Sequence, residues 1–115
     1  MALRRGAATT VLVLALLIPA AAPTQDVGQR TLLDNDQVVV VEVTFSPGFR
    51  GDEHAAIANE FAYVLEGELA VVTQGQRKRV FGPGEIEYAG KGTVHYSLNE
   101  TKKPARVLVV LLKDR

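Results

Sequence analysis

The segment that decides the fold is GFRGDEHAAIANEFAYVLEG, residues 48–67, which has a glycine at each end and a histidine and a glutamate between them. Phe61 to Leu65 within it is a predicted strand, and Leu69 to Thr73 is the next one. Glu66-Gly67-Glu68 separates them as a tight turn. The segment therefore predicts a β-hairpin preceded by a loop that carries polar groups.

On both sides of this segment the chain continues as strands and turns, and no part of it has a convincing helical period. Val38 to Phe45 is the strongest predicted strand, because its β-branched residues suit a pleated and largely buried position. Further strands are predicted at Gln76–Phe81, Glu85–Ala89, Val94–Leu98 and Ala105–Leu112. Short strands separated by turns in this way indicate an all-β sandwich or barrel. We assign residues 31–115 to this single domain.

The first 22 residues have the layout of a secretory signal peptide. Arg4 and Arg5 precede an apolar run, and Ala20-Ala21-Ala22 supplies small residues for cleavage. The apolar run is shorter than the ~20 residues that span a bilayer. Pro23 is a poor context for cleavage, so an uncleaved membrane anchor is the alternative. We expect cleavage, a polar tether over residues 23–30, no stable membrane span, and a secreted or periplasmic location.

The composition excludes several classes of chemistry. The chain has no cysteine, which rules out disulfides, thiol nucleophiles and zinc–cysteine sites. It carries 13 basic and 13 acidic residues, and this balance gives no reason to expect nucleic acid as a partner. Arg77-Lys78-Arg79 is the one basic run. We interpret it as a solvated face that protects a sheet edge, with an anion site as the less favoured alternative.

The chain has two histidines, His54 and His95, and Glu60 follows the first of them by six residues. Two imidazoles and a carboxylate suit a mononuclear iron, manganese, zinc or nickel centre. Because side chains alternate along a strand, His54 and Ala56 are predicted to share one face. Glu60 is expected to return to the same cavity after a short turn, and His95 to arrive from a separate strand across the barrel.

These residues resemble the first motif of the cupin family. That motif runs glycine, five residues, His-x-His, three or four residues, glutamate, six residues, glycine. Gly48, His54, Glu60 and Gly67 stand at its positions in this sequence. Ala56 stands where the motif has its second histidine, and a methyl group cannot coordinate a metal.

The second cupin motif is also present, in the right order along the chain. It runs glycine, five residues, Pro-x-Gly, two residues, histidine, three residues, asparagine. Gly84, Gly92, His95 and Asn99 match it, and Gly90 replaces the usual proline in the turn. The resemblance covers nearly the whole predicted domain. The glycines of both motifs and Asn99 are expected to be structural residues.

The resemblance implies an antiparallel jelly-roll β-barrel, in a family whose members often dimerise through edge strands. Cupins usually hold a metal with three histidines and the glutamate. His54, Glu60 and His95 would remain here as ligands of a divalent metal such as iron, manganese, zinc or nickel. Oxygen donors close by in sequence are Asp52, Asn59 and, less favourably, Glu53.

Two functions remain open at this point. One is a metal-dependent enzyme of the dioxygenase or isomerase type that acts on a small organic molecule. The other is a non-catalytic module that binds a small ligand and holds no metal. The alanine at position 56 favours the second function, and the retention of the other motif residues favours the first. Both functions imply a small-molecule partner, and a second copy of the chain is a further candidate.

Overall fold

The structure is a computed structural model that describes residues 27–114. The predicted signal peptide, residues 1–22, lies outside the described residues. Within the described range, no helix is long and apolar enough to cross a membrane. The range forms nine strands: β1 (Val27–Asp34), β2 (Val38–Phe45), β3 (His54–Ala55), β4 (Glu60–Glu66), β5 (Leu69–Thr73), β6 (Arg79–Phe81), β7 (Ile86–Ala89), β8 (Val94–Leu98) and β9 (Ala105–Leu112).

The strands form two antiparallel sheets, one in the order β1-β2-β9-β4-β7 and the other in the order β3-β8-β5-β6. β2 and β9 pair over their full length and bury every second residue on one face. These buried positions form much of one apolar core: Val39, Val41, Val43, Phe45, Ala105, Val107, Val109 and Leu111. The predicted all-β antiparallel architecture is confirmed.

The strand bounds predicted from sequence agree closely with the structure, with one marked exception. The predicted strand over residues 76–81 begins only at Arg79. The Gln76 amide donates to the Thr73 carbonyl at 2.9 Å, and Gly75 has a φ of 79°. Because of this turn, Gln76 does not belong to the strand, and residues 77–78 connect the turn to β6.

The prediction of a polar tether over residues 23–30 is wrong where those residues overlap β1. Val27 to Arg30 pair with β2, in the register Val27↔Phe45 to Arg30↔Glu42. Most of β1 is exposed on both faces. Its residues therefore have no buried alternating pattern from which a strand could be read, and backbone pairing to β2 alone places them in the sheet.

Four charged side chains cross the outer face of the five-stranded sheet. Arg30 donates to Glu42 at 2.8 Å, Arg106 donates to the other oxygen of Glu42 at 2.8 Å, and Arg106 also donates to Glu66 at 2.7 Å. The row connects β1, β2, β9 and β4 in their sheet order. Hydrogen bonds from the two arginines hold the pKa of Glu42 below its usual value.

The turn between β4 and β5 requires glycine. Gly67 has a φ of 74°, and a Cβ atom at this position would lie 2.4 Å from the Pro104 carbonyl oxygen. Both the left-handed backbone and the close approach of the β8–β9 loop exclude a side chain. The expectation that the glycines of the two motifs are structural is confirmed, since Gly48, Gly84 and Gly92 also have positive φ.

Asn99 is a structural residue, as expected from sequence. Its side chain is 1% exposed. Its Nδ2 donates to the carbonyl oxygens of Phe45 at 3.1 Å and Lys103 at 2.7 Å. Its Oδ1 accepts from the amide and the hydroxyl of Thr101. One side chain therefore fastens the end of β2 to the loop that leads into β9.

We expect Asn99→Ala to lower the free energy of unfolding by about 2–4 kcal/mol, because it leaves buried carbonyl groups without their donor. Asn35→Ala is the matched control. Asn35 accepts from two backbone amides in an exposed turn, where water can replace it, so its loss should cost about 1 kcal/mol or less. Urea denaturation of both variants measures the difference. Equal losses would show that Asn99 does not have this role.

Candidate functional site

The two histidines face each other on neighbouring strands. His54 of β3 is the register partner of His95 of β8. Their ring centroids are 4.9 Å apart and the rings are inclined at 61°. His95 therefore reaches the site from the strand next to His54 and not from across the barrel, which corrects the expectation from sequence.

His54 has one nitrogen bound and one free. Its Nδ1 lies 2.9 Å from the Asp52 carbonyl oxygen. Because a carbonyl oxygen can only accept, the neutral ring carries its proton on Nδ1 and presents a lone pair on Nε2. Nε2 is buried and has no hydrogen-bond partner among the described residues. Burial lowers the pKa of His54, which favours this neutral form.

His95 lies between two buried carboxylates. Its Nε2 is 3.9 Å from Oε2 of Glu60, and its Nδ1 is 3.6 Å from Oε2 of Glu87. Both carboxylates come from the opposite sheet, Glu60 from β4 and Glu87 from β7. All three side chains are at least nine-tenths buried. Neither His95 nitrogen has a hydrogen-bond partner within residues 27–114, since each carboxylate lies slightly beyond hydrogen-bond length.

This arrangement shifts the protonation of its members. Burial raises the pKa of Glu60 to about 7, and the charge of Glu87 adds to the rise while His95 opposes it. Burial alone would lower the pKa of His95, but Glu87 and Glu60 together raise it above its usual value. Glu60 and His95 therefore both keep a proton to a higher pH than usual, and they titrate as a coupled pair.

The three metal ligands expected from sequence, His54, Glu60 and His95, are brought to one region of the barrel. Within residues 27–114, however, no group of three or more histidine, aspartate or glutamate side chains is arranged to hold a metal ion. The histidine pair and the carboxylates are thus neighbours without forming a closed set of ligands.

The other oxygen donors expected from sequence do not join this group. Asp52 contributes its backbone carbonyl to His54, and its side chain is exposed. Asn59 accepts from the Lys91 amide at 2.8 Å and so supports the β7–β8 loop. Glu53 is exposed. Ala56 is buried at 3% exposure and leaves no donor where the cupin motif has a histidine.

Glu87 is the site residue that sequence reasoning missed. It lies outside both motifs, and its neighbours Ile86 and Tyr88 are exposed while Glu87 and Ala89 are buried. Its register partner on β4 is Ala62, two residues after Glu60. The sequence could have predicted this position, because Glu87 lies two residues before Ala89 on the same strand and alternation places both side chains on one face.

A cavity of about 290 Å³ opens beside these residues, between β5, β6, β7 and the loop that precedes β8. Glu87 is part of its wall and also contacts His95. The histidine pair is therefore connected to the cavity through Glu87. The lining residues are Val71, Thr73, Gln76, Arg79, Phe81, Glu87, Tyr88, Gly90 and Thr93.

Residues 41–111 match the family model described as a cupin domain, and the chain belongs to the cupin family. The family expected from the two sequence motifs is confirmed. Two fungal proteins named as cupin-domain-containing oxidoreductases are similar to this chain. The one from Neurospora crassa, srdB, is 33% identical over 76 residues, which is 65% of this chain and 38% of that protein.

The second, fogC from Aspergillus ruber, is 32% identical over 73 residues, or 61% of this chain and 36% of that protein. The chain thus spans less than two-fifths of the length of these curated relatives. Their names describe proteins much longer than the region that they share with this chain.

Solved structures support the jelly-roll fold. A cupin superfamily protein from Desulfitobacterium hafniense has a TM-score of 0.69 at 19% identity, covering 77% of this chain and 79% of that one. The DMSP lyase DddQ from Ruegeria pomeroyi has a TM-score of 0.72 at 22% identity, covering 83% and 51%. At these identities the likeness shows the fold alone.

The raised pKa of Glu60 makes stability depend on pH. In the metal-free protein the folded chain keeps the Glu60 proton to about pH 7, whereas the unfolded chain releases it near 4.5. The folded state then binds more protons in this window, so the free energy of unfolding should fall as pH rises from about 4.5 to 7. We expect Glu60→Gln to flatten this dependence.

The measurement is urea denaturation at a series of pH values with a chelator present. Glu68→Gln, in the exposed β4–β5 turn, is the control and should keep the wild-type slope. A slope that Glu60→Gln leaves unchanged would contradict the assignment of the buried proton to Glu60.

Proposed function

We propose that this cupin binds a divalent cation through His54, His95 and Glu60 and acts on a small organic molecule held in the adjoining cavity. One observation carries the proposal. The Nε2 atoms of the two facing histidines are buried and have no hydrogen-bond partner in the described part of the chain, and a buried carboxylate lies 3.9 Å from one of them. Unpartnered buried polar atoms are costly, and a cation would satisfy them.

The donor chemistry of these residues fits a divalent metal. Two neutral imidazole nitrogens and one carboxylate suit iron(II), manganese, zinc or nickel and leave coordination positions for substrate. The three side chains would have to rearrange to coordinate one ion, since among the described residues they do not form a group arranged for a metal. When bound, the metal would supply Lewis acidity or activate oxygen.

The protein residues around the pair would prepare it for this role. The Asp52 carbonyl fixes the His54 proton on Nδ1 and so directs the Nε2 lone pair to the site. The Glu87 carboxylate, 3.6 Å from His95 Nδ1, would favour a proton on that nitrogen, on the side of the ring away from Glu60, without a hydrogen bond to fix it. A carboxylate behind a ligating histidine orients the ring and increases its basicity.

A redox or isomerase reaction is the activity that we propose for the site. Support comes from the two relatives named as oxidoreductases, which share about a third of their residues with this chain over the matched region. Glu87 lies outside the proposed ligand set and contacts the cavity. Its carboxylate can accept a proton at the edge of a bound substrate.

A non-catalytic, metal-free binding role is the alternative, and one observation favours it. Ala56 is buried where cupins usually carry a ligand, and the remaining side chains do not close on a common point. In that case the cavity would hold a small molecule and the histidine pair would form part of its polar wall.

Metal loading separates the two roles. We expect chelator-treated protein to take up close to one equivalent of iron(II), manganese, nickel or zinc per chain, measured by elemental analysis after gel filtration. His95→Ala should lower the affinity at least about tenfold, since it removes one of three ligands. Less than a tenth of an equivalent for every metal would refute the enzyme proposal and leave the binding role.

The missing histidine offers a matched pair of variants. Ala56→His should raise metal affinity, because position 56 is buried and follows His54 by two residues. Ala55→His, one residue away on an exposed position, should leave it unchanged. Equal effects from the two variants would show that any gain comes from an added surface histidine.

We also propose that the protein is exported and that its leader is removed after Ala22. The layout of residues 1–22 supports this proposal. Mass spectrometry of protein recovered from the periplasm or medium should show a chain that begins at Pro23, and Ala22→Arg should block processing. An intact N-terminus on membrane-bound protein would establish the anchor instead.

A homodimer also remains a prediction from the resemblance.

A further inference from the structure

One residue of the basic run 77–79 differs from its neighbours. Arg79 lies on β6, where its register partner is the buried Val71 and its same-face neighbour is the buried Phe81. Strand alternation therefore directs Arg79 to the inner side of the sheet, and its side chain lines the cavity. Lys78 instead pairs with Glu100 on the exposed surface at 2.6 Å.

The Arg79 guanidinium forms no ion pair with any residue in the described range. It stacks on the Phe81 ring, with its central carbon 4.8 Å from the ring centroid. This contact holds the cation in place without neutralising it. The exposed side chain thus presents a solvated positive charge at the cavity wall.

A negative charge lines the same cavity without pairing to Arg79. Glu87 is also part of the wall, and its Oε2 lies 3.6 Å from His95 Nδ1. No ion pair joins Arg79 and Glu87 across the cavity. Open space of about 290 Å³ therefore lies among an unpaired cation, a hydrogen-bond acceptor and the apolar side chains of Val71, Phe81 and Tyr88.

We infer that the ligand of this cavity is a small organic carboxylate that carries a hydroxyl group at its other end. The carboxylate binds Arg79, which offers paired donors suited to that group. The hydroxyl donates to Glu87 and so lies next to the histidine pair. The apolar parts of the wall accept the carbon skeleton, and a cavity of about 290 Å³ has room for a ligand of about one substituted ring.

This inference rests on the proposed function because it takes the cavity as the substrate site, but it does not require a bound metal. It also assigns a role to the basic run. The interpretation as a solvated face holds for Lys78, whereas Arg79 supplies the anion site that the sequence left as the less favoured alternative.

The test uses meta- and para-hydroxybenzoate as probes, with para-hydroxybenzyl alcohol as the neutral counterpart. Binding to the protein is measured by calorimetry with a chelator present. We expect the carboxylates to bind at least about tenfold more tightly than the alcohol. Arg79→Gln should remove that preference, Arg79→Lys should keep part of it, and the alcohol should bind all variants equally.

Arg77→Gln is the matched control, since it makes the same charge change in the same run without lining the cavity. It should bind the carboxylates as wild type does, and circular dichroism checks that each variant is folded. Equal losses in Arg77→Gln and Arg79→Gln, equal binding of acid and alcohol, or no binding of either acid at millimolar concentration would each overturn the inference.

Metal uptake by Arg79→Gln separates this inference from the proposed function. The variant should load metal as wild type does, because Arg79 lies outside the proposed ligand set. If wild type fails to load metal but binds the carboxylates through Arg79, the inference holds and the enzyme proposal falls. If metal loads and Arg79→Gln changes no binding, the reverse follows.

Discussion

The pairing of β2 with β9 is the contact on which the rest of the structure depends. These two strands are 8 residues each and match along their whole length, although about 60 residues separate them in the chain. β9 then accepts β4 on its other side, and β4 accepts β7. Every carboxylate of the site is carried by that second half of the sheet. The position of Glu60 and Glu87 is therefore fixed by how β9 aligns with β2, since a shift of one residue would turn both carboxylates outward.

The sequence predicts the sheet well where burial and turn chemistry coincide. Val38–Phe45, Leu69–Thr73 and Ala105–Leu112 agree with the observed strands because each is a largely apolar run bounded by a turn, and Val94–Leu98 also agrees although it carries His95 and Ser97. β1 is different. It is exposed on both faces and belongs to the sheet through backbone hydrogen bonds, which leave no trace in side-chain pattern. The side-chain pattern does not predict β1, because a strand at a sheet edge need not bury its side chains.

The candidate site shows the same division between local and long-range information. His54, Glu60 and His95 were identified because they stand in motifs with fixed spacing. Glu87 was not, because it comes near His95 only after β7 joins the opposite sheet. The prediction that His95 reaches the site from across the barrel was also wrong, since spacing along the chain carries no information on strand order. Motifs name the residues that share a site, while the sheet order decides which atoms face each other.

The central place of β9 has a consequence for the chain before it is complete. During synthesis β2 and β4 emerge long before β9, and each then has an open edge where β9 will later lie. VVVVEVTF, the sequence of β2, combines β-branched residues with a single charge, a composition that favours intermolecular pairing. A chain in which β9 has not yet been made therefore exposes this segment at an open sheet edge. The same valines that give the finished barrel its core favour pairing between unfinished chains.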